Sequence, residues 1–152
     1  MKIYILIITI LFSNIVFSQN LKPLTNNTFE NVMNDENTNY IVLEGCISLY
    51  SAITELTKKK YPQLAKSFFE MANTLYPYGI LSLSKLNKIK SNQAEIIFFE
   101  NINILTKKYI VEMNNNGKKN GSFFRGSFLG DDLFFCNEVT KSFNLVLKEN
   151  SN

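Results

Sequence analysis

The chain has 152 residues, of which 45% are hydrophobic, 13% aromatic and 19% charged. This composition predicts one folded domain with a substantial core and excludes intrinsic disorder for the chain as a whole. The net charge of +3 comes from short, scattered groups of Lys and a single Arg, whereas nucleic-acid-binding proteins gather Lys and Arg on one face. We therefore expect no nucleic-acid partner.

The absence of His from the sequence narrows the possible chemistry further. It excludes Ser-His-Asp and Cys-His catalysis, and two Cys without His supply too few soft ligands for a metal site. The chain also lacks the glycine-rich motifs that bind nucleotide phosphates. We expect no catalytic residues, no metal and no cofactor, and we interpret the chain as a protein that is not an enzyme.

Residues 1–18 have the features of an export signal. A positive start at Lys2 precedes an almost wholly apolar run, and Val16 and Ser18 fit the small-residue rule for cleavage before Gln19. The run resembles the signal peptides of exported bacterial proteins, and it is short for a membrane-spanning helix of about 20 residues. We expect a mature, soluble protein in the periplasm or outside the cell, without a stable membrane anchor. The alternative is an uncleaved anchor.

Residues 19–37 form a polar lead-in in which residues 28–33 predict one helical turn, and residues 38–148 are predicted to form the bundle domain. The first main helix is predicted over residues 38–60, with Asn37 or Thr38 as its cap. Apolar residues recur there at steps of three and four, which is the stripe of an amphipathic helix. The stripe consists of Val42, Cys46, Leu49, Ile53 and Leu56, with Ser48 among the polar residues opposite.

A second helix is predicted to start at Pro62 and to stop or kink at Tyr76-Pro77-Tyr78-Gly79. Residues 80–90 combine strand-like alternation with helical spacing, and we favour a short helix there. A third main helix, residues 92–114, follows a capping signal at Ser91-Asn92 and ends before Gly117. The predicted apolar stripe of this helix is Ala94, Phe98, Ile102, Leu105, Tyr109 and Met113. Because Ile96, Ile97, Phe99 and Ile104 add apolar character to several of its other sides, this helix is predicted to be central.

A glycine-rich loop over residues 117–130 precedes the last helix, residues 131–148. Asp131 and Asp132 are interpreted as carboxylates that cap the helix start, and Phe134 and Phe135 as core residues. The prediction is an all-α, single-domain bundle of four main helices plus a short helix.

Cys46 and Cys136 lie on the apolar stripes of the first and last main helices. In an exported chain an even number of Cys favours a disulfide. A cross-link across 90 residues would stabilise the fold by about 4–5 kcal/mol in the chain-entropy model. The alternative is two buried thiols that do not meet.

The loop also holds the candidate binding surface, Phe123, Phe124, Arg125 and Phe128. An Arg flanked by aromatic residues is typical of interface hot spots, and closely spaced Phe residues can form an exposed apolar patch. Each part of this prediction has an alternative. The alternative for the Phe rings is packing in the core, and the alternative for Arg125 is an ion pair with Asp131 or Asp132 or an interaction with a helix carboxyl end.

Three hypotheses for function follow. The leading one is an exported soluble helical module that acts by binding a partner protein, one version being an inhibitor or immunity protein for an extracytoplasmic enzyme. The second is a carboxylate-based hydrolase, which needs two acids facing one cleft, one of them with a raised pKa. The third is a carrier of hydrophobic ligands, which needs a sizeable apolar cavity.

Overall fold

A computed structural model describes the backbone of residues 21–149 and the side chains of residues 21–145. The predicted export signal lies outside the described residues. A 3-10 turn, Leu24–Asn26, leads into five helices. These are α1 Phe29–Asn34, α2 Glu36–Thr57, α3 Pro62–Asn87, α4 Ser91–Asn120 and α5 Leu129–Glu149. Four long helices and one short helix, with no strand in this part of the chain, confirm the predicted all-α bundle.

Helix α2 is the central element, with α1, α3, α4 and α5 packed around it. The predicted stripe from Val42 to Ile53 is buried, and so is Ser48, which the pattern assigned to the polar side. Gly45 is buried because Leu24 packs on it so closely that a side chain there would overlap the leucine. The prediction that the third main helix is central is therefore wrong, because α2 is the helix that contacts α1, α3, α4 and α5, and it has more buried residues than α4.

The disulfide is formed between α2 and α5. Cys46 and Cys136 are joined with an S–S distance of 2.05 Å and a Cα–Cα distance of 5.3 Å. Beside it, the Tyr50 hydroxyl lies 3.0 Å from the hydroxyl of Thr140 and donates a hydrogen bond to Asn137 at 3.1 Å. The last helix is thus attached to the central helix by a covalent bond and a buried polar cluster.

Helix α3 runs without a break through Pro77, so the predicted stop at residues 76–79 is wrong, and residues 80–90 mainly form the end of α3. A proline inside a helix costs about 3 kcal/mol. Packing of the helix on both sides of Pro77 offsets this cost, because Leu75 and Leu83 are buried. Gly79 has no side chain and lets the Phe98 ring of α4 approach the α3 backbone.

Helix α4 continues through Gly117 to Asn120, six residues beyond its predicted end. It stops where Gly121 adopts a left-handed conformation with φ 68°, which glycine takes at no steric cost. Gly117 lies against the Phe123 ring of the following loop, so its role is close packing rather than helix termination. The predicted stripe of α4 is confirmed. Its buried members are Ala94, Phe98, Ile102, Tyr109 and Met113.

The predicted helix caps differ from the observed ones. Asp35, rather than Asn37 or Thr38, caps α2 by accepting a 2.7 Å hydrogen bond from the Thr38 N–H. Helix α4 begins after Lys90 without a side-chain cap. At the other end of the chain, α5 begins at Leu129, ahead of the acidic pair.

Phe134, predicted to be a core residue, is exposed, while Phe135 is half-buried against the core. The reason is the register of α5. Cys136 and Val139 fix the buried side of the helix, and a residue two positions before Cys136 lies on the other side.

Candidate functional site

The loop that carries the predicted binding surface spans residues 121–128 in the structure and is organised by an amide side chain of α4. The Nδ2 atom of Asn116 donates hydrogen bonds to the carbonyls of Ser122 at 2.8 Å and Arg125 at 3.0 Å. The Ser122 hydroxyl accepts from the backbone N–H groups of Phe124 and Arg125. The loop therefore has a fixed shape, set by the buried side chain of Asn116, which lies in the part of α4 beyond its predicted end.

The three loop phenylalanines pack against the core. Phe123, Phe124 and Phe128 are half-buried, so the core-packing alternative describes them better than an exposed patch does. Arg125 is exposed, and its guanidinium makes no ion pair with any described residue. The predicted pair with Asp131 or Asp132 is therefore not formed. A role for Arg125 in binding a partner stays a prediction.

Asp132 does not cap its own helix but holds the amino-terminal segment. Its buried Oδ1 atom accepts hydrogen bonds from the backbone N–H groups of Leu24 at 2.7 Å and Thr25 at 3.2 Å. Oδ2 is buried without a hydrogen-bond partner in the described part of the chain. Burial raises the pKa of Asp132 to about 6, although the two N–H donors act in the opposite direction. The carboxyl group thus has a structural task at the α5 start.

A sizeable groove lies between α3 and α4 in the part of the chain that the structure describes. We call it the α3–α4 groove. Its volume is about 640 Å³, within the range of about 300–1,000 Å³ typical of ligand pockets. Ile47 and Ser51 of α2 form its floor. Its walls include Phe69, Ala72 and Tyr76 from α3, and Phe99, Ile102 and Ile110 from α4.

The groove exists because α3 and α4 pack on each other near their short connection, while α2 separates them farther along. Near the connection, the Phe98 ring lies against Gly79 and 5.5 Å from the Tyr76 ring. Beyond that point α2 side chains reach the surface between the two helices. Phe69 and Phe99, with 55% and 56% of their surface exposed, stand on the two sides.

The polar atoms of the groove are few, and several are already used within the bundle. The hydroxyl of Thr54 donates to the Tyr50 carbonyl at 2.9 Å, and that of Thr106 donates to the Ser48 carbonyl at 3.4 Å. Glu55 pairs with Lys58 at 2.6 Å. Glu55 is the one carboxylate among the lining residues, so the groove lacks the facing pair of acids that a carboxylate-based hydrolase needs.

Sequence reasoning missed this groove because it counted the extra apolar residues of α4 as core. Ile96, Ile97, Phe99 and Ile104 are all exposed, and that interpretation is wrong. A signal was present in the sequence. Polar residues such as Glu100, Asn103 and Lys107 occur among the apolar ones on every side of α4 except the predicted stripe, which is expected of an apolar helix at a surface rather than in a core.

The described residues contain no cluster of three or more His, Cys, Asp or Glu side chains arranged to hold a metal. Within the same part of the chain, every helix is too short or too polar to cross a membrane. Comparison of the chain with protein-family models, curated proteins and solved structures finds no match.

Proposed function

We propose that this chain is an exported helical module that acts by binding a partner protein, and that the α3–α4 groove is its main binding surface. The observation that carries the proposal is the pair of aromatic rings, Phe69 and Phe99, exposed on the two sides of one apolar groove. Aromatic residues at the edge of an apolar recess are typical of interface hot spots. Aromatic rings that are exposed in this way contribute little to the core, and a recognition surface would account for them.

The chemistry of the groove indicates the kind of segment it would bind. Its lining is dominated by aromatic and aliphatic side chains, and its Thr hydroxyls are occupied by backbone carbonyls. A partner segment that inserts apolar side chains would bury the apolar part of this surface, and polar groups of the partner would be needed to pair with Asn73, Asn103 and Lys107 in the lining. We expect burial of apolar area, rather than ion pairing, to provide most of the affinity.

Export is part of the proposal and is supported by the joined cysteines. The Cys46–Cys136 disulfide is compatible with an oxidising compartment, since disulfides are rare in the cytosol. The sequence of residues 1–18 gives the second support. The two observations are independent, because one is a bond in the folded domain and the other a pattern outside it.

Capture of partners with matched baits tests the proposal. The oxidised chain from residue 19 onward is immobilised as wild type, Phe99→Asp and Phe134→Asp, and exported proteins of the source organism are quantified after cross-linking. Phe134 is exposed on α5 and does not line the groove. We expect at least one protein that wild type and Phe134→Asp retain and Phe99→Asp loses by tenfold or more, about 1.4 kcal/mol. Equal retention on all three baits would contradict the assignment of the groove.

The same experiment with Arg125→Ala examines the loop predicted from sequence. If Arg125 contacts the partner, this bait loses the protein that wild type retains. If the captured protein is an extracytoplasmic enzyme, its activity with and without the purified module tests the inhibitor or immunity version. An enzyme whose activity is unaffected at saturating module concentration would argue against that version.

A second candidate function, a carrier of hydrophobic ligands, is favoured by the volume of the groove. About 640 Å³ is enough for a small apolar molecule, and Lys107 at its lining could pair with an anionic head group. Native mass spectrometry of protein purified without detergent distinguishes the two functions. A retained ligand that Phe99→Asp abolishes supports the carrier, and ligand-free protein that still binds its partner supports the module.

A further inference from the structure

Two asparagine side chains lie opposite each other on the walls of the α3–α4 groove, Asn73 on α3 and Asn103 on α4. The short connection between the two helices, residues 88–90, makes them antiparallel neighbours, and Gly79 contacts Phe98 across them. From this contact Asn73 lies six positions back along α3 and Asn103 five positions forward along α4. At about 1.5 Å per residue these distances are about 9 Å and about 8 Å, so the two side chains start from nearly the same level of the groove.

Both carboxamides are available to an occupant of the groove. Asn73 and Asn103 are exposed, and neither side chain bonds to another residue that the structure describes. Thr54 and Thr106, in the same lining, already donate to backbone carbonyls. A carboxamide is both a donor and an acceptor, and burying it without a partner costs free energy. An occupant that covers the middle of the groove therefore needs donors and acceptors on both of its sides.

An extended peptide meets this requirement through its main chain. Each residue other than proline carries one N–H and one C=O, and an extended segment presents them along both of its edges. Its side chains alternate between its two faces, so every second one turns to the groove floor. A helical segment bonds its main-chain groups internally and would need suitable polar side chains on each side. The two facing carboxamides thus favour an extended occupant over a helical one.

The length of the groove fits a short extended segment. Its lining on α4 reaches from Phe99 to Ile110, which is about 16 Å along the helix axis. An extended chain rises about 3.3 Å per residue, so about five residues span this length. The side chains that turn inward would meet a floor of buried apolar residues, which includes Ile47, Ala72 and Ile102. Because Ala72 is small, it leaves room there for a side chain of the occupant.

One end of the groove carries an unpaired positive charge. Lys107 lines the groove nine positions beyond Phe98, on the side away from the α3–α4 connection. It is exposed and makes no ion pair with any residue that the structure describes. Glu55, the one carboxylate in the lining, pairs with Lys58 instead. An acidic side chain at this end of the occupant would therefore meet an ammonium group that is free to pair with it.

We propose that the α3–α4 groove binds an extended peptide segment of about five residues, whose main-chain amides pair with Asn73 and Asn103. Alternate apolar side chains of the segment face the floor, and an acidic residue lies at Lys107. The inference rests on the proposed function, because it names the kind of segment that the partner presents. Main-chain hydrogen bonds give affinity without reading sequence, and the alternate side chains give specificity.

Selection from a phage-displayed library of random peptides, about ten residues long and thus able to span the groove, tests the proposal. The oxidised chain from residue 19 onward is the bait, and clones that still bind Phe99→Asp are discarded. We expect the remaining sequences to carry apolar residues at every second position and Asp or Glu at one end. Apolar residues at steps of three and four would identify a helical occupant and overturn the inference, although the groove would remain a binding surface.

A library that yields no peptide dependent on Phe99 would also overturn the inference. The proposed function fails by a different result, equal retention of every exported protein on the wild-type, Phe99→Asp and Phe134→Asp baits. The two experiments therefore separate an error about the segment from an error about the groove.

A synthetic peptide with the selected sequence then tests the role of the carboxamides. Asn73→Ala and Asn103→Ala should each weaken its binding by about three- to tenfold, because each removes hydrogen bonds to the peptide. Asn115→Ala is the matched control, since Asn115 is exposed on the same helix as Asn103 and does not line the groove. It should leave the dissociation constant unchanged. Circular dichroism verifies that every variant keeps its helical fold.

Peptides in which one amide is replaced by an ester test the main chain itself, because the ester lacks the N–H while every side chain stays the same. At the position that bonds to Asn103, the ester should weaken binding to wild type by about three- to tenfold and have little further effect on Asn103→Ala. If no ester shows such coupling to Asn73 or Asn103, the carboxamides do not bind the main chain and the inference is overturned.

Discussion

Helices α2 and α4 are both rich in apolar residues, yet only α2 is central. Most side chains of α2 between residues 42 and 53 are buried against the neighbouring elements α1, α3, α4 and α5. The apolar side chains of α4 point to the core, to the groove and to solvent. Those on the core side are buried, including Ile102, which also lines the groove, whereas Phe99 at the groove and Ile104 are exposed. The apolar content of a helix therefore predicts that the helix has surface to bury. Its position among the other helices decides whether that surface is buried within the chain.

Side-chain size explains part of the difference. Helix α2 carries Gly45, Ser48 and Ala52 between its large residues, and all three are buried. Small residues let neighbouring elements approach closely, as Leu24 does at Gly45. In α4 the positions between the apolar residues hold charges such as Glu100 and Lys107. Charges are rarely fully buried without a partner, so that side of the helix stays in water.

The largest expected effect comes from removing the covalent bond between α2 and α5. The double variant Cys46→Ala/Cys136→Ala should lower the free energy of unfolding by about 4 kcal/mol, because the disulfide closes a loop of 90 residues in the unfolded chain. Urea unfolding followed by circular dichroism measures the loss. Reduced wild type should lose a similar amount. Intact protein that shows two reactive thiols after unfolding without reductant would contradict the bond itself.

The next largest expected effect is the difference in stability loss between the same substitution on α2 and on α4. Ile53 of α2 has 2% of its surface exposed, and Ile96 of α4 has 63%. Ile53→Ala should cost about 2–5 kcal/mol because it leaves a cavity in the core, whereas Ile96→Ala should change stability by less than about 0.5 kcal/mol. Urea unfolding midpoints at one protein concentration give both values. Equal losses would mean that α4 is as deeply packed as α2.

The sequence predicted the elements that depend on a repeating pattern. The stripes of α2 and α4 and the apolar side of α5 around Cys136 follow from spacing. The pairing of the two Cys follows from their even number in a chain expected to be exported and from their places on these stripes, and the structure confirms the stripes and the bond. Local signals failed where packing overrode them. Pro77 did not stop α3, because Leu75 and Leu83 on its two sides are buried. Gly117 did not stop α4, because it packs against the Phe123 ring while Gly121 takes the left-handed conformation that ends the helix.

The candidate site was harder to predict for a related reason. Phe123, Phe124 and Phe128 were proposed as a surface, yet they pack against the core, while Phe99 was assigned to the core and lies exposed at the groove. A phenylalanine side chain has no polar atom, so its identity alone does not indicate whether it is buried or exposed. Only the relative positions of α2, α3 and α4 decide, and these depend on contacts between residues far apart in the chain.

The smallest expected effect concerns the segment that covers α2 at Gly45. Asp132 holds that segment through the N–H groups of Leu24 and Thr25, and burial raises its pKa from 3.8 to about 6. A raised pKa means that the folded state favours the protonated carboxyl. The stabilisation is therefore complete below about pH 4 and is lost as the pH rises through about 6. Between these limits wild type should lose about 1–2 kcal/mol from this group, after allowance for solvent screening.

Asp132→Asn separates this contribution from the titration of all other groups. The amide keeps an oxygen that can accept from Leu24 and Thr25, but it carries no charge, so the variant should lose the pH dependence that Asp132 adds between about pH 4 and 6. Asp131→Asn is the matched control, because Asp131 is exposed and its replacement should leave most of that dependence in place. Urea unfolding at a series of pH values measures the difference between each variant and wild type. If the curves of wild type and Asp132→Asn run parallel over this range, the carboxyl is ionised at no cost in the fold. The amino-terminal segment would then be held over α2 by the packing of Leu24 on Gly45, and the protonation of the Asp132 carboxyl would make no difference to it.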